Sequence, residues 1–230
     1  LNFHENDQHE NYIAFDYANN SFRSLGRGAV LFTWGDSGAF PLWYLKGVER
    51  MREDLVLLHT PHLVFEWYLD AFPDFFRSSV LRSVPSEYKT ADNVLRLAIE
   101  EQNDKRPVYI DFSTRYSLKL DGYELHQQGI CYLVKKRTRG KTVSPDMRTW
   151  DLYTVRGITG DTIPFRDLDT SKAILIYGIS HLDAGEALLS LGRSDDGYGE
   201  LRKAKQLAPE LGMLVRQIEM QYGNAHRSKK

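Results

Sequence analysis

The sequence predicts an α/β fold: a mostly parallel, Rossmann-like sheet flanked by helices, followed by a C-terminal tetratricopeptide-like helical segment. Three observations predict it. Residues 29–61 read strand, turn, helix, strand: Val30, Leu31 and Phe32 form an apolar run, Gly35 and Gly38 punctuate a turn, Leu42, Leu45 and Val48 recur at helical spacing, and residues 55–58 resume the apolar run. A helical pattern followed by an apolar strand recurs over residues 90–112. From Asp169 onward the pattern is helical alone.

Before the first strand, residues 12–25 carry Ile13, Tyr17 and Phe22 on one face and predict an amphipathic helix ended by Gly26 and Gly28. The strand–helix–strand unit then reads as a right-handed crossover between parallel strands. Residues 63–76 are dense in aromatics, with Phe65, Trp67, Tyr68, Phe72, Phe75 and Phe76, and Pro73 breaks or kinks their helix. Core packing is the simpler reading of that density. Thr90 is a candidate N-cap for a helix through Val94, Leu95, Ala98 and Ile99, and a third strand follows at 107–112. A fourth strand at 129–134 is expected near a sheet edge, because the run KKRTRGK after it resists another strand. That run reads as a solvated loop, with anionic lipid or a phosphorylated ligand as the alternative.

Three helical stretches, 174–191, 195–207 and 210–222, close the pattern. Gly185, Gly192, Leu201, Ala204 and Pro209 match the spacing of a tetratricopeptide unit, while His181, Leu188 and Gly197 replace its usual Trp, Tyr and Ala. One such unit cannot bury both faces, so it is expected to pack on the α/β body. The domain expectation is an α/β domain over 1–168, the helical extension over 169–223, and a polar tail over 224–230.

Composition bounds the function classes. With 230 residues, 42% hydrophobic and 27% charged, the chain has the profile of a globular protein of one domain plus a small appendage. Thirty basic and 31 acidic side chains leave a net charge of -1, so no overall field draws it to nucleic acid. The single Cys131 excludes an internal disulfide and says nothing of compartment; flanked by Ile130 and Tyr132, it reads as a buried small side chain. No stretch approaches the roughly 18 apolar residues of a membrane span. The chain opens at Leu1 without a methionine, followed by the polar HENDQHE, and is read as an excised fragment or processed product.

Parallel strands would bring their carboxyl ends together, and with them Asp36, Ser37 and Gly38, then His59, Thr60 and His62, then Asp111, Ser113 and Thr114. This is the candidate ligand pocket. The N–H groups of Ser37, Gly38 and Ala39 would lie at a helix start, with Pro41 in the first turn, a place that favours an anion. Asp36 repels a bare phosphate there, which leaves a sugar or a cation-bridged ligand as the coherent occupant; a plain helix cap is the structural alternative. Pro61 between His59 and His62 argues against a helical metal pair, and His4 and His9 are weaker. Asp16, Glu66 and Asp70 are explained by helix-face solvation. Nucleotide, hydrolase and metalloprotease signatures do not occur, so no catalytic residue, metal or cofactor is assigned.

The phrases NYIAFDYANN, AVLFTWGDSGAFPLWYLKGVE and DLVLLHTPHLVFEWYLDAF resemble the extracytoplasmic segment of a family of polytopic bacterial membrane proteins similar to protein O-mannosyltransferases. The family's turn usually reads G-D-N-D-T-F-P, whereas this chain has Gly35, Asp36, Ser37, Gly38, Ala39, Phe40 and Pro41; a second carboxylate and a threonine are missing. The resemblance implies an accessory domain of a membrane-embedded glycosyltransferase that uses a lipid-linked sugar. It implies a periplasmic location, an upstream transmembrane region as partner, and catalytic groups that lie upstream of Leu1. A sugar or glycolipid ligand, and a protein partner on the helical tail, belong to the same expectation. A self-contained α/β enzyme acting through Asp36 and Asp111, and a protein-interaction module, are the alternatives.

Overall fold

The computed structural model describes residues 9–117, 119–137, 143–158 and 168–227. Two compact units emerge, Ser21–Lys141 and the combination of Leu1–Asn20 with Thr142–Lys230. The first helix, α1 (Ile13–Arg23), runs through the boundary between them.

The sheet unit is built on five strands, β1 (Val30–Thr33), β2 (Val56–His59), β3 (Val108–Asp111), β4 (Tyr123–Gln128) and β5 (Cys131–Lys136), in the order β2-β1-β3-β5-β4. β1 pairs in parallel with both β2 and β3, as the two helix-then-strand repeats require. The expectation of a mostly parallel sheet is corrected here, because β5 runs antiparallel to β3 and to β4. Its cause is local. β4 and β5 are joined through Gly129 (φ 59°) and Ile130 alone, a connection that permits a hairpin but not a crossover. The predicted fourth strand is therefore β5, and it is an interior strand. β4, which the sequence reading missed, forms the edge and carries a Glu124–His126 pair at 3.0 Å. Of the basic run after β5, residues 138–141 lie outside the described residues.

β1 and β3 are buried along their whole length, as strands covered on both faces must be. On one face, Val30, Phe32, Leu58 and Ile110 pack with Leu95 and Ile99 of the helix Ala91–Gln102. Thr90 caps that helix by accepting the Asn93 N–H. Helix α2 (Asp36–Gly47) connects β1 to β2 and buries Gly38, Ala39, Leu42 and Leu45. The aromatic stretch is a 3₁₀ turn (Thr60–Val64) and two short helices, Glu66–Asp70 and Pro73–Phe76. Pro73 opens the last of these, at the position where a missing N–H costs nothing. Arg52, at φ 52°, closes the end of α1: its guanidinium donates to the carbonyls of Phe22, Leu25 and Gly26 at 2.7–3.2 Å and pairs with Asp54 at 2.8 Å. That guanidinium also holds the Asp54 carboxyl well below its ordinary range.

In the helical unit, the long helix Leu168–Ser190 packs on Ser194–Leu207, and Gly212–Arg227 follows. Glycines set the approach. A Cβ at Gly185 would stand 3.0 Å from the Gly197 carbonyl oxygen, and one at Gly178 would stand 2.6 Å from the Ala208 Cβ. Gly178→Ala is expected to lower stability by about 1–3 kcal/mol, since the opposing atom is fixed to the backbone and the gain in helix propensity, about 1 kcal/mol, only partly offsets the clash. Thermal unfolding of the variant checks it. His181, where a Trp was the usual residue, pairs with Glu200 and lies under the Trp150 ring at 4.0 Å. The start of α1 belongs to this unit: Asn20 exchanges hydrogen bonds with Thr154, donating at 2.6 Å and accepting at 3.0 Å, and Asp16 pairs with Arg156. Among the described residues, no helix is long and apolar enough to cross a membrane.

Candidate functional site

The parallel register sets Thr33 beside His59, so the carboxyl ends of β1, β2 and β3 lie side by side and bring all three predicted residue groups to one end of the sheet. Their roles differ. Asp111, at the end of β3, is 2% exposed; its carboxylate accepts the Thr114 N–H at 2.7 Å and the Trp34 N–H at 3.3 Å. Thr114 is buried and donates its hydroxyl to the Phe32 carbonyl at 3.3 Å. Both residues thus staple the β1 turn from within. Burial pushes the Asp111 carboxyl up to about 6, against the lowering effect of the N–H bonds it accepts. Ser113 is half-buried beside them.

The turn itself is shaped by Gly35, whose φ of 82° and ψ of 152° suit a residue without a Cβ. Gly35, which has no side chain, occupies the N-cap position of α2. The capping alternative for Asp36 and Ser37 therefore gives way: both are exposed residues of the first turn. Two expectations about this turn need correction. The Ala39 N–H is consumed by the Gly35 carbonyl at 3.1 Å, and Pro41 falls in the second turn because the helix starts earlier than expected.

His59 is 4% exposed. Its backbone N–H donates to the Tyr68 hydroxyl at 2.8 Å, while both ring nitrogens, and the Thr60 hydroxyl next to it, are buried without a hydrogen-bond partner. Burial first, then His62, lowers the basicity of His59, and the Asp36 carboxylate opposes them. His62 lies edge-on to His59 at 4.4 Å and is surrounded by Tyr68 at 5.2 Å, Trp67 at 5.5 Å and Trp43 at 6.5 Å. Phe65 stacks with Trp67 at 6.1 Å, and Phe40 meets Trp43 at 5.4 Å.

These aromatics are the site residues that sequence reasoning missed. It assigned the 63–76 cluster to the core, and Tyr68, Leu69 and Phe76 do lie there, yet Phe65 and Trp67 are 47% and 60% exposed. A usable signal was present on α2: Asp36, Phe40 and Trp43 are spaced four and three apart and share one helical stripe. The result is a shelf of rings with one carboxylate at its end and an imidazole in its middle.

Residues 14–93 match the family model TMEM260-associated domain 2. That family is associated with a membrane protein. The match covers α1, the β1–α2–β2 unit and the whole aromatic shelf, about a third of the chain. No curated protein and no solved structure matches the chain.

Other candidate groups have structural work. Asp16, expected on a solvated face, is fully buried against Arg156, whereas Glu66 and Asp70 form surface pairs with Lys89 and Arg82. Cys131 is buried, with its thiol pushed far up by desolvation. Among the described residues no three His, Cys, Asp or Glu side chains stand close enough to hold a metal ion.

Proposed function

We propose that this chain is an accessory part of a membrane-embedded, glycosyltransferase-like protein that uses a lipid-linked sugar, placed on the periplasmic face of a bacterial membrane beside an upstream transmembrane region. It positions substrate and does not carry out transfer alone. One observation carries the reading: the segment that matches the family model, 14–93, holds every ring of the shelf together with Asp36, His59 and His62. Of the two acids at the strand ends, Asp111 is committed to backbone N–H groups, which leaves Asp36 alone facing solvent. A lone carboxylate on an aromatic shelf suits holding a hydroxylated ligand better than paired acid–base chemistry. In this reading the three C-terminal helices are a tetratricopeptide-like element available to a protein partner.

The test uses the full-length protein with Asp36→Asn. Transfer should continue with kcat within about twofold and KM for the sugar donor raised about tenfold, the signature of lost ground-state binding. A collapse of kcat at unchanged KM, with folding intact, would assign chemistry to Asp36 and refute the accessory role.

A further inference from the structure

Beside the shelf runs an apolar groove of about 480 Å³, walled by Trp43, Leu55, Leu57, Phe72, Pro73 and Phe75. Its volume is within the range of small-molecule sites, about 300–1,000 Å³. Shelf and groove are continuous. Trp43 lines the groove and also meets His59 at 5.7 Å, and Tyr68 lines the groove, touches His62 and receives the His59 N–H. Lys46 also lines it, but its ammonium is taken up by the carbonyls of Arg52 and Glu53 at 3.4 and 3.1 Å.

We propose that the joined site binds an amphiphile, a hydrocarbon chain bearing a hydroxylated head, with the chain in the groove and the head on the shelf between Asp36, His62 and Trp67. This inference rests on the positioning role proposed above. The groove follows β2, which is an edge strand, so an added peptide strand is the natural competitor. The backbone argues against it. The Leu55 N–H is bound to the Arg52 carbonyl at 3.0 Å and the His59 N–H to the Tyr68 hydroxyl, which removes the donors on either side of Leu57. A hydrocarbon needs no donors and gains from every apolar wall. At the shelf the demand is the opposite: both ring nitrogens of His59 are unpartnered and its ring lies edge-on to His62, so a head that shifts the His62 ring aside brings hydroxyls to them. Flat rings and a carboxylate beside them match a ring-shaped head with apolar faces and polar edges.

Octyl β-D-glucopyranoside, below its micelle concentration, is the probe for the 230-residue chain, with glucose and 1-octanol as separate arms and calorimetry and histidine NMR as readouts. Octyl glucoside should bind at least tenfold tighter than either part, and hexyl glucoside about fifteenfold more weakly than octyl, since each of the two missing methylenes contributes roughly fourfold. Ala71→Trp, at an exposed groove position, should abolish octanol and octyl glucoside binding, while Trp67→Ala should reduce octyl glucoside to the affinity of octanol. Absence of saturable octyl glucoside binding, equal affinity for octanol, or no dependence on chain length would each overturn the proposal. If that happens while Asp36→Asn still raises KM in the full-length protein, the positioning reading stands without the amphiphile. Probe binding with an unaltered KM leaves the amphiphile site and removes the positioning reading.

Discussion

Arg156→Met should destabilise the unit formed by the first and last parts of the chain by about 3 kcal/mol, near the lower end of what removing one partner of a buried ion pair costs. Asp16 is 0% exposed, and the Arg156 guanidinium reaches it through Nη2 at 2.6 Å and Nε at 3.2 Å. Without the guanidinium, Asp16 keeps one donor, the backbone N–H of residue 156, now at 2.9 Å. The Arg156 side chain is about half exposed (47%), which places the cost at the low end. Denaturant unfolding followed by tryptophan fluorescence, in which Trp150 reports on this unit beside Trp34, Trp43 and Trp67 of the other, checks it; parent and variant curves that superimpose at neutral pH would show that the pair contributes nothing. Adding Asp16→Asn to the variant should recover part of the loss, because it removes the stranded charge.

The second large effect is a pH dependence. The Asp111 carboxyl titrates near 6 in the folded protein, against about 3.9 in an unfolded chain. Below about pH 4 both states hold the proton and the group is neutral in the balance. Between about pH 4 and pH 6 the unfolded state releases its proton while the folded state keeps it, so stability falls as pH rises, by about 3 kcal/mol in all. Asp111→Asn removes this slope. It also sets an amide NH₂ against one of the two backbone N–H groups now bound, a cost of about 1–3 kcal/mol that pH does not change. The variant should therefore be the less stable protein at pH 4 and approach or pass the parent by pH 7. Unfolding curves at several pH values decide it; parallel profiles would mean that Asp111 titrates normally.

The β1–α2–β2 unit was legible in the sequence because three physical signals agree there: an apolar strand, a glycine turn, and helical spacing of Leu42 and Leu45. The same holds for α1 and the helix after Thr90. The antiparallel half was hidden, since β4 reads Tyr-Glu-Leu-His-Gln-Gln, too polar to signal a strand by its apolar content. Its turn, Gly129–Ile130, has a glycine in the left-handed region followed by a large apolar residue and is not one of the common Asn-Gly pairs. At the site, sequence placed the backbone ends correctly in topology but not the fate of each polar group. Nothing local marks Asp111 as a staple whose partners are two backbone N–H groups, one of them 77 positions away. The exposed rings were masked for a related reason: helices of four and five residues are too short for periodicity to tell an inward face from an outward one.

Arg52 holds two incompatible preferences at one position. Its backbone, in the left-handed region, is the kind that glycine or asparagine adopts most readily, yet its guanidinium ties together three carbonyls and a carboxylate. A substitution that relaxes the main chain forfeits the anchor, and lysine retains the charge without the fork. Substitution here is accordingly costly whichever preference it serves, although the residue takes no part in the shelf.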